Sequence, residues 1–303
     1  QYPNMGDMTM DGFINVIDLV QLVEVVLDGI IYIDYMDLNQ DGFLNIIDIV
    51  ALVEIILNPE TLGCTDPNAP NYNPEAFYDD GSCDYSNTVI DIDGNVYSIV
   101  FIGEQEWMGE NLKVSHYRNG DPIPTGFNGD DWSNLDLNQT GAYSIYEDQP
   151  TNEYLFGFLY NWFAVDDERG VCPEGWHVPN DEEFIYLELE LGMPWEDANL
   201  YGWHGTNEGG KSKEVGTLQH MNGFWLFPNE GATNESGLSV LPAGRRDNAD
   251  GEYLSLYSLG IFWASDNFDN NSMWLRQFNY DTAQIGRFAT SKDNGLSVRC
   301  IKD

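Results

Sequence analysis

Apolar positions along the chain fall into two textures. In the first sixty residues, two apolar runs, Ile17 to Asp28 and Ile46 to Leu57, each follow a short stretch rich in Asp, Asn and Gly. The first run has Asp18, Gln21, Glu24 and Asp28 as its polar residues, and the second has only Asp48 and Glu54. Polar positions confined to so narrow a stripe predict two helices that are apolar around most of their circumference. Such a helix must be buried on more than one side, yet a helix pair offers only one internal face. The excess predicts either cover from the rest of the chain or a large patch that docks on another chain, and docking is the expected outcome.

From about residue 87 the texture changes to short alternating runs separated by Gly, Asn and Asp, such as Asn95 to Ile102, Gly260 to Ser265 and Leu296 to Cys300. These are strand and turn signals. One stretch, Asn180 to Leu191, opens with an Asn cap and acidic first-turn residues, then places Phe184, Leu187 and Leu191 at helical spacing, which predicts a helix. Between the two textures, residues 63–86 are rich in Asn, Asp and Pro, carry a cysteine near each end and show no periodicity. The expected fold class is a multidomain α+β chain: a helix pair over 1–62, a small linker with a cysteine near each end over 63–86, and a mixed β domain with one main helix over 87–303.

Charge sharpens this picture. The chain has 303 residues, is 42% hydrophobic and carries 51 acidic against 12 basic residues, a formal charge of −39. That field repels nucleic acid and anionic lipid, so no nucleic-acid partner is expected. Residues 1–86 hold sixteen of the acids and no Lys or Arg. A folded segment of that kind either spreads its carboxylates over solvent or neutralises them with metal cations. No run of about 18 apolar residues exists, so no membrane span is expected. The opening at Gln1 instead of Met suggests a processed chain whose signal peptide has been removed. Four cysteines without C-x-x-C spacing read as two disulfides, and together these features point to an extracellular or cell-surface setting.

The polar stretches before the two apolar runs repeat with a period of 30 residues. An EF-hand loop places oxygen ligands at positions 1, 3, 5, 7, 9 and 12 with Gly at position 6. Counted from Asp7, the first loop offers Asp7, Thr9, Asp11, the Phe13 carbonyl, Asn15 and Asp18, with Gly12 at the turn; the second offers Asp37, Asn39, Asp41, the Phe43 carbonyl, Asn45 and Asp48, with Gly42. Two copies in register predict two calcium sites. Asp replaces the usual Glu at position 12. That combination resembles the dockerin family over about residues 5–58, and the resemblance implies an antiparallel helix pair that plugs into a partner module. The pair preceding the last ligand is of Ser/Thr type in cellulosomal dockerins, but here it is Val16-Ile17 and Ile46-Ile47, a departure from the pattern that recognises an ordinary cohesin.

The linker phrase Gly63-Cys64-Thr65-Asp66-Pro67 through Asp80-Gly81-Ser82-Cys83 resembles short repeats of secreted bacterial surface proteins, related in style to thrombospondin type 3 repeats. It implies a Cys64–Cys83 bridge and leaves a third calcium open, with Asp66, Asn68, Asp79 and Asp84 as candidate ligands. Downstream, Ile102 to Lys113 (Ile-Gly-Glu-Gln-Glu-Trp-Met-Gly-Glu-Asn-Leu-Lys), Gly170 to Pro179, Gly237 to Arg246 and the ending Ser297-Val298-Arg299-Cys300 resemble the FISUMP (major paralogous) domain family over essentially 87–303. The resemblance implies a secreted bacterial surface protein, a fold similar to C-type lectins and formylglycine-generating enzymes, and a Cys172–Cys300 bridge.

Evidence for catalysis is thin. The calcium-sugar tripeptide of lectins is missing, Gln149-Pro150-Thr151 being the nearest match, and Trp263, Trp274, Tyr253 and Tyr257 could stack on a sugar or belong to the core. Gly205 to Ser212 fits the phosphate-loop pattern but lacks a hydrophobic strand before it and a helix-forming stretch after it, and reads as chance. Asp91 to Asn95 offers another cation loop or a hairpin turn, and the turn is the expected form. The four His do not form metal-ligand spacings, and Asn138, Asn234 and Asn270 are sequons. The expected function is therefore that of a non-catalytic structural protein whose apolar helices over 16–57 dock on a protein partner, with the next identical subunit in a filament or sheath as one such partner. The alternative is attachment to a separate scaffold, with the C-terminal domain binding glycan or protein.

Overall fold

Apolar burial organises the chain into two compact units, Gln1–Ser86 and Asn87–Asp303, in a computed structural model. The structure describes all residues except 1–5, 10–13, 29–35, 39–42, 58–61, 66–68, 70–71, 77, 80–81 and 85–86.

In the first unit, helices α1 (Val16–Asp28) and α2 (Ile46–Leu57) correspond to the two apolar runs. Leu22 of α1 and Ala51, Leu52 and Ile55 of α2 form a core closed by Met8, Met36 and Leu38 from the segments before each helix. The linker shows no strand periodicity in sequence, yet Leu62–Gly63 pairs in parallel with Tyr78–Asp79, and Cys64 is bridged to Cys83.

The second unit is mixed α/β and rich in sheet. A five-stranded sheet has the order β1-β2-β3-β9-β4, from Thr88–Ile90 (β1), Val96–Ile102 (β2), Gln105–Met108 (β3), Trp176–His177 (β4) and, at the end of the chain, Ile301–Lys302 (β9). A four-stranded sheet has the order β6-β7-β8-β5, from Gly202–His204 (β5), Leu259–Asn267 (β6), Ser272–Asn279 (β7) and Ile285–Ser291 (β8). Every pairing in both sheets is antiparallel. The main helix α3 (Asp181–Glu190) begins where the sequence predicts. Asn180 caps the Glu183 N–H at 2.9 Å and the Glu183 side chain returns a bond to the Asn180 N–H at 2.8 Å, a reciprocal capping box. Two large apolar clusters result, one around Trp263, Tyr160 and Val298, the other between α3 and the four-stranded sheet around Phe184, Trp225 and Phe262, beside a small one of Trp132, Leu135 and Ala142.

The chain's end is the keystone of the five-stranded sheet, because Ile301 pairs with Trp107 on one side and His177 on the other. The segment Leu296 to Cys300, predicted as a strand, differs from expectation: Leu296 bridges Tyr160, Ser297 bridges Phe262, and Val298 and Cys300 accept from Leu112 and Met108. Buried Arg299 explains this. Its guanidinium donates to the Asn111 side chain at 3.0 Å and to the carbonyls of Leu238 and Ser239, so the segment runs between elements instead of along one partner. Burial pulls this guanidinium down to about 10. Cys300 is bridged to Cys172, 128 residues away. Removing a native crosslink of this kind costs about 2–5 kcal/mol. A Cys172→Ser/Cys300→Ser chain should lower the denaturant midpoint of the C-terminal transition by the equivalent amount, and an unchanged midpoint would contradict the keystone role.

Candidate functional site

The helix starts of the first unit carry the conspicuous chemistry. Asn15 accepts from the Ile17 N–H at 2.8 Å through its side-chain oxygen, and Asp18 accepts from the Asn15 N–H at 2.8 Å. The second copy repeats this: Asn45 accepts from Ile47 at 2.9 Å, and Asp48 accepts from Asn45 at 2.7 Å. Each carboxylate also reaches back across its loop. The Thr9 N–H and hydroxyl both donate to Asp18 at 2.9 Å, and the Leu38 N–H donates to Asp48 at 3.0 Å. The Phe43 carbonyl accepts from the Asn45 amide at 3.1 Å. The structure thus brings Thr9, Asn15 and Asp18 together, and Phe43, Asn45 and Asp48 together. Burial pushes the Asp18 carboxyl up, but the donors from Thr9 and Asn15 outweigh it and hold the group below its ordinary value.

Asp7, Asp18, Asp37 and Asp48 are all buried, none more than 4% exposed. Residues 1–86 hold no Lys, Arg or His to balance them. Burying four carboxylates in one small unit is costly, and a divalent cation held by loop oxygens is chemistry that offsets such a cost. The residues present therefore fit calcium. Among the described residues no group of three or more His, Cys, Asp or Glu side chains is close enough to hold a metal ion. The expected ligands Asp11, Phe13, Asn39, Asp41, Asp66 and Asn68 lie outside the described residues. In the linker, Asp79 lies in the strand that pairs with Leu62–Gly63, and Asp84 is exposed.

The outer faces of the two helices form matched sets. Val16, Ile17, Val20 and Leu27 of α1 recur 30 residues later as Ile46, Ile47, Val50 and Leu57 of α2, and each of the eight is more than half exposed. Repetition of the sequence has produced a duplicated apolar surface.

In the second unit, most of the residues that stand out in sequence are architectural. Arg246 donates to the carbonyls of Gly251 and Phe127 and stacks on Trp132 at 4.3 Å. Trp263, a sugar-stacking candidate in sequence, is core, its indole N–H bonded to the Tyr160 carbonyl. Trp274 lies half-buried under Arg287 at 3.9 Å, Tyr253 stacks on Arg246, and Tyr257 packs on Phe156. Asp91 to Asn95 is the β1–β2 hairpin loop, with Asp91 accepting from the N–H groups of Asp93 and Asn95 and from the Tyr97 hydroxyl. Asn234 bonds Ser239 through both side-chain atoms, whereas Asn138 and Asn270 are exposed.

The phosphate-loop match corrects one expectation. A short strand, β5, does precede it, but the one helical turn here, Glu208–Ser212, lies inside the match and ends with it, so no helix follows. The carboxylate of Glu208 nevertheless accepts from the N–H groups of Thr206 and Asn207, Lys211 donates to the Leu191 carbonyl, and Gly209 and Gly210 abut the backbone of Gln284 and Gly231. An internal carboxylate sits at the amides a phosphate would use.

A polar cleft of about 410 Å³ escaped the sequence reading. It is assembled from four separate stretches of the chain, with Asp136 and Gln139, then Trp162, Phe163 and Asp166, then Asn270 and Asn271, then Ser291, Lys292 and Asp293 contributing. No motif marks these positions, and only the fold gathers them.

Residues 100–302 match the sequence profile of the Fibrobacter succinogenes major domain. Comparison with curated proteins and with solved structures finds no match. Among the described residues, no helix is long and apolar enough to cross a membrane, and the two disulfides suit an oxidising compartment. With most of its length inside that match, and with the matched residues Asn111, Cys172, Arg246 and Arg299 all serving the scaffold of one unit, the chain belongs to the Fibrobacter succinogenes major domain family.

Proposed function

We propose that the chain is an extracellular, non-catalytic structural protein, and that its N-terminal unit is a calcium-folded, dockerin-like plug carried by a C-terminal unit of C-type-lectin-like fold. The plug docks by its duplicated apolar face onto the next copy of the same chain. The observation that carries this reading is the face itself, eight large aliphatic side chains in two matched sets, more apolar surface than a unit of this size leaves to water without a partner.

Charge supports an apolar contact. Ten of the twelve Lys and Arg residues hold carboxylates or carbonyls of the C-terminal unit, among them Arg118, Arg169, Arg276 and Lys302. The chain thus has little basic surface to offer an acidic plug, and self-repulsion at −39 must be offset by burial and by bound cations. A head-to-tail contact that does not close propagates into a filament.

Negative-stain microscopy and light scattering of the intact chain in millimolar calcium, then in excess chelator, test the proposal. Calcium-dependent fibres are expected, and Ile17→Asp/Ile47→Asp should abolish them while leaving the circular dichroism spectrum unchanged. Monodisperse chains in both conditions would overturn self-docking and direct attention to a separate scaffold.

A further inference from the structure

His177 of β4 is placed where three elements meet. Both of its ring nitrogens face carboxylates: Nδ1 lies 2.7 Å from Asp303 Oδ1, and Nε2 lies 2.9 and 3.1 Å from the two oxygens of Glu183. Asp303 follows β9 directly and is seated by its own backbone, its N–H donating to the Gly175 carbonyl at 3.0 Å. Glu183 belongs to the capping box that starts α3. One imidazole therefore joins β4, the segment after β9 and the first turn of α3. Arg118 lines a small cavity with His177, and its guanidinium donates to the carbonyls of Cys172 and Trp176 at 3.0 and 3.1 Å. Lys302 of β9 pairs with Glu106 of β3 at 2.8 Å. Around the imidazole, two carboxylates in direct contact thus oppose one guanidinium that other acceptors hold.

An ionised carboxylate only accepts hydrogen bonds, and a neutral imidazole has a single N–H. A carboxylate at each nitrogen is satisfied only by the imidazolium. Burial pulls the imidazole down, but its bonds to Asp303 and Glu183 outweigh this and hold it above its ordinary value. When the proton leaves, one of the two ties must go. Glu183 is fixed from its other side by the Asn180 N–H at 2.8 Å, whereas the Asp303 side chain is 64% exposed, so the Asp303 tie is the one released. The Cys172–Cys300 bridge still holds position 300, which confines the loosening to residues 301–303. Strand β9 lies between β3 and β4, so loosening there opens the five-stranded sheet between those two strands.

We infer that His177 is a pH-dependent latch: as the imidazolium it fastens Asp303 and keeps β9 seated in the five-stranded sheet, and as the neutral imidazole it lets them go. A basic group raised by its partners contributes stability that is fully present below its unfolded value of about 6.5 and is lost as pH rises through the folded value. The latch is therefore closed in mildly acidic surroundings and opens as they turn alkaline. It uses neither the plug nor its docking.

Proton–nitrogen NMR of the intact chain, with the His177 resonances identified by their loss in His177→Gln, tests the latch. The ring should carry a proton on both nitrogens at about pH 6 and should titrate above about 6.5. In Asp303→Asn the midpoint should fall by about 0.5–1 pH unit, because a partly exposed pair delivers less than the full effect of a close opposite charge. Urea midpoints give a second readout: the parent should exceed His177→Gln by a margin that is widest at about pH 6 and narrows towards about pH 9. A His177 midpoint at or below about 6.5, an unchanged midpoint in Asp303→Asn, or a margin that does not narrow with pH would overturn the inference.

Discussion

Replacing Arg276 by Ala is expected to destabilise the C-terminal unit by about 3–5 kcal/mol, the cost of breaking a buried ion pair from one side. Arg276 of β7 is fully buried beneath α3. Its Nη1 lies 2.8 Å from Asp181 and its Nε 2.5 Å from Glu188, and its guanidinium faces the Phe184 ring at 5.2 Å. Glu188 also contacts His204 at 3.0 Å, and Asp181 is held from its other side by Arg287 at 2.5 Å. Deleting the guanidinium leaves Glu188 buried with only His204 beside it, whereas Asp181 keeps Arg287. Burial pushes the Asp181 carboxyl up, but its bond to Arg287 and the charge of Arg276 bring it below the ordinary value. A depressed carboxyl contributes stability that is fully present above its unfolded value of about 3.9 and is lost as pH falls through the folded value. The gap between parent and variant should therefore be widest above about pH 4 and narrow below it. Urea midpoints at pH 7 and pH 3 check both statements, and a loss under about 1 kcal/mol at pH 7 would contradict the first.

Removing calcium is expected to unfold the N-terminal unit and leave the C-terminal unit intact. Asp7, Asp18, Asp37 and Asp48 are buried in a unit whose sequence holds no Lys, Arg or His, so a bound divalent cation would offset much of the cost of burying four carboxylates together. One site with ligand at a hundred times its Kd adds about 2.7 kcal/mol, so two sites add about 5 kcal/mol. For a unit of this size that amounts to roughly 20 °C or more in its melting temperature. The chain provides its own reporters, because all nine Trp lie in residues 87–303. Chelator should lower the helical circular dichroism signal while tryptophan fluorescence stays native. Loss of both signals together, or of neither, would contradict the assignment.

Legibility in the sequence differed between the two units for a physical reason. Helix periodicity, the 30-residue repeat and the Asn180 cap are local, so α1, α2 and α3 could be read from spacing and capping chemistry. The Cys64–Cys83 and Cys172–Cys300 pairings followed from resemblance alone, since spacing leaves every connectivity open. Leu296 to Cys300 looked like a strand because its alternation is real, but buried Arg299 turns the segment into a spacer between sheets. Trp263 could not be told from a binding tryptophan until Tyr160 and Trp162 were seen to enclose it. The cleft was invisible because Asp136, Asp166, Asn271 and Lys292 meet only through long-range packing.

Native mass spectrometry of the intact chain, counting calcium ions before and after chelation, tests the calcium-folded plug most directly. At least two ions per chain are expected in millimolar calcium, none after chelation, and two fewer in the Asp11→Ala/Asp41→Ala variant. A parent chain that remains free of calcium, or a variant that binds as many ions as the parent, would contradict the assignment of the two loops.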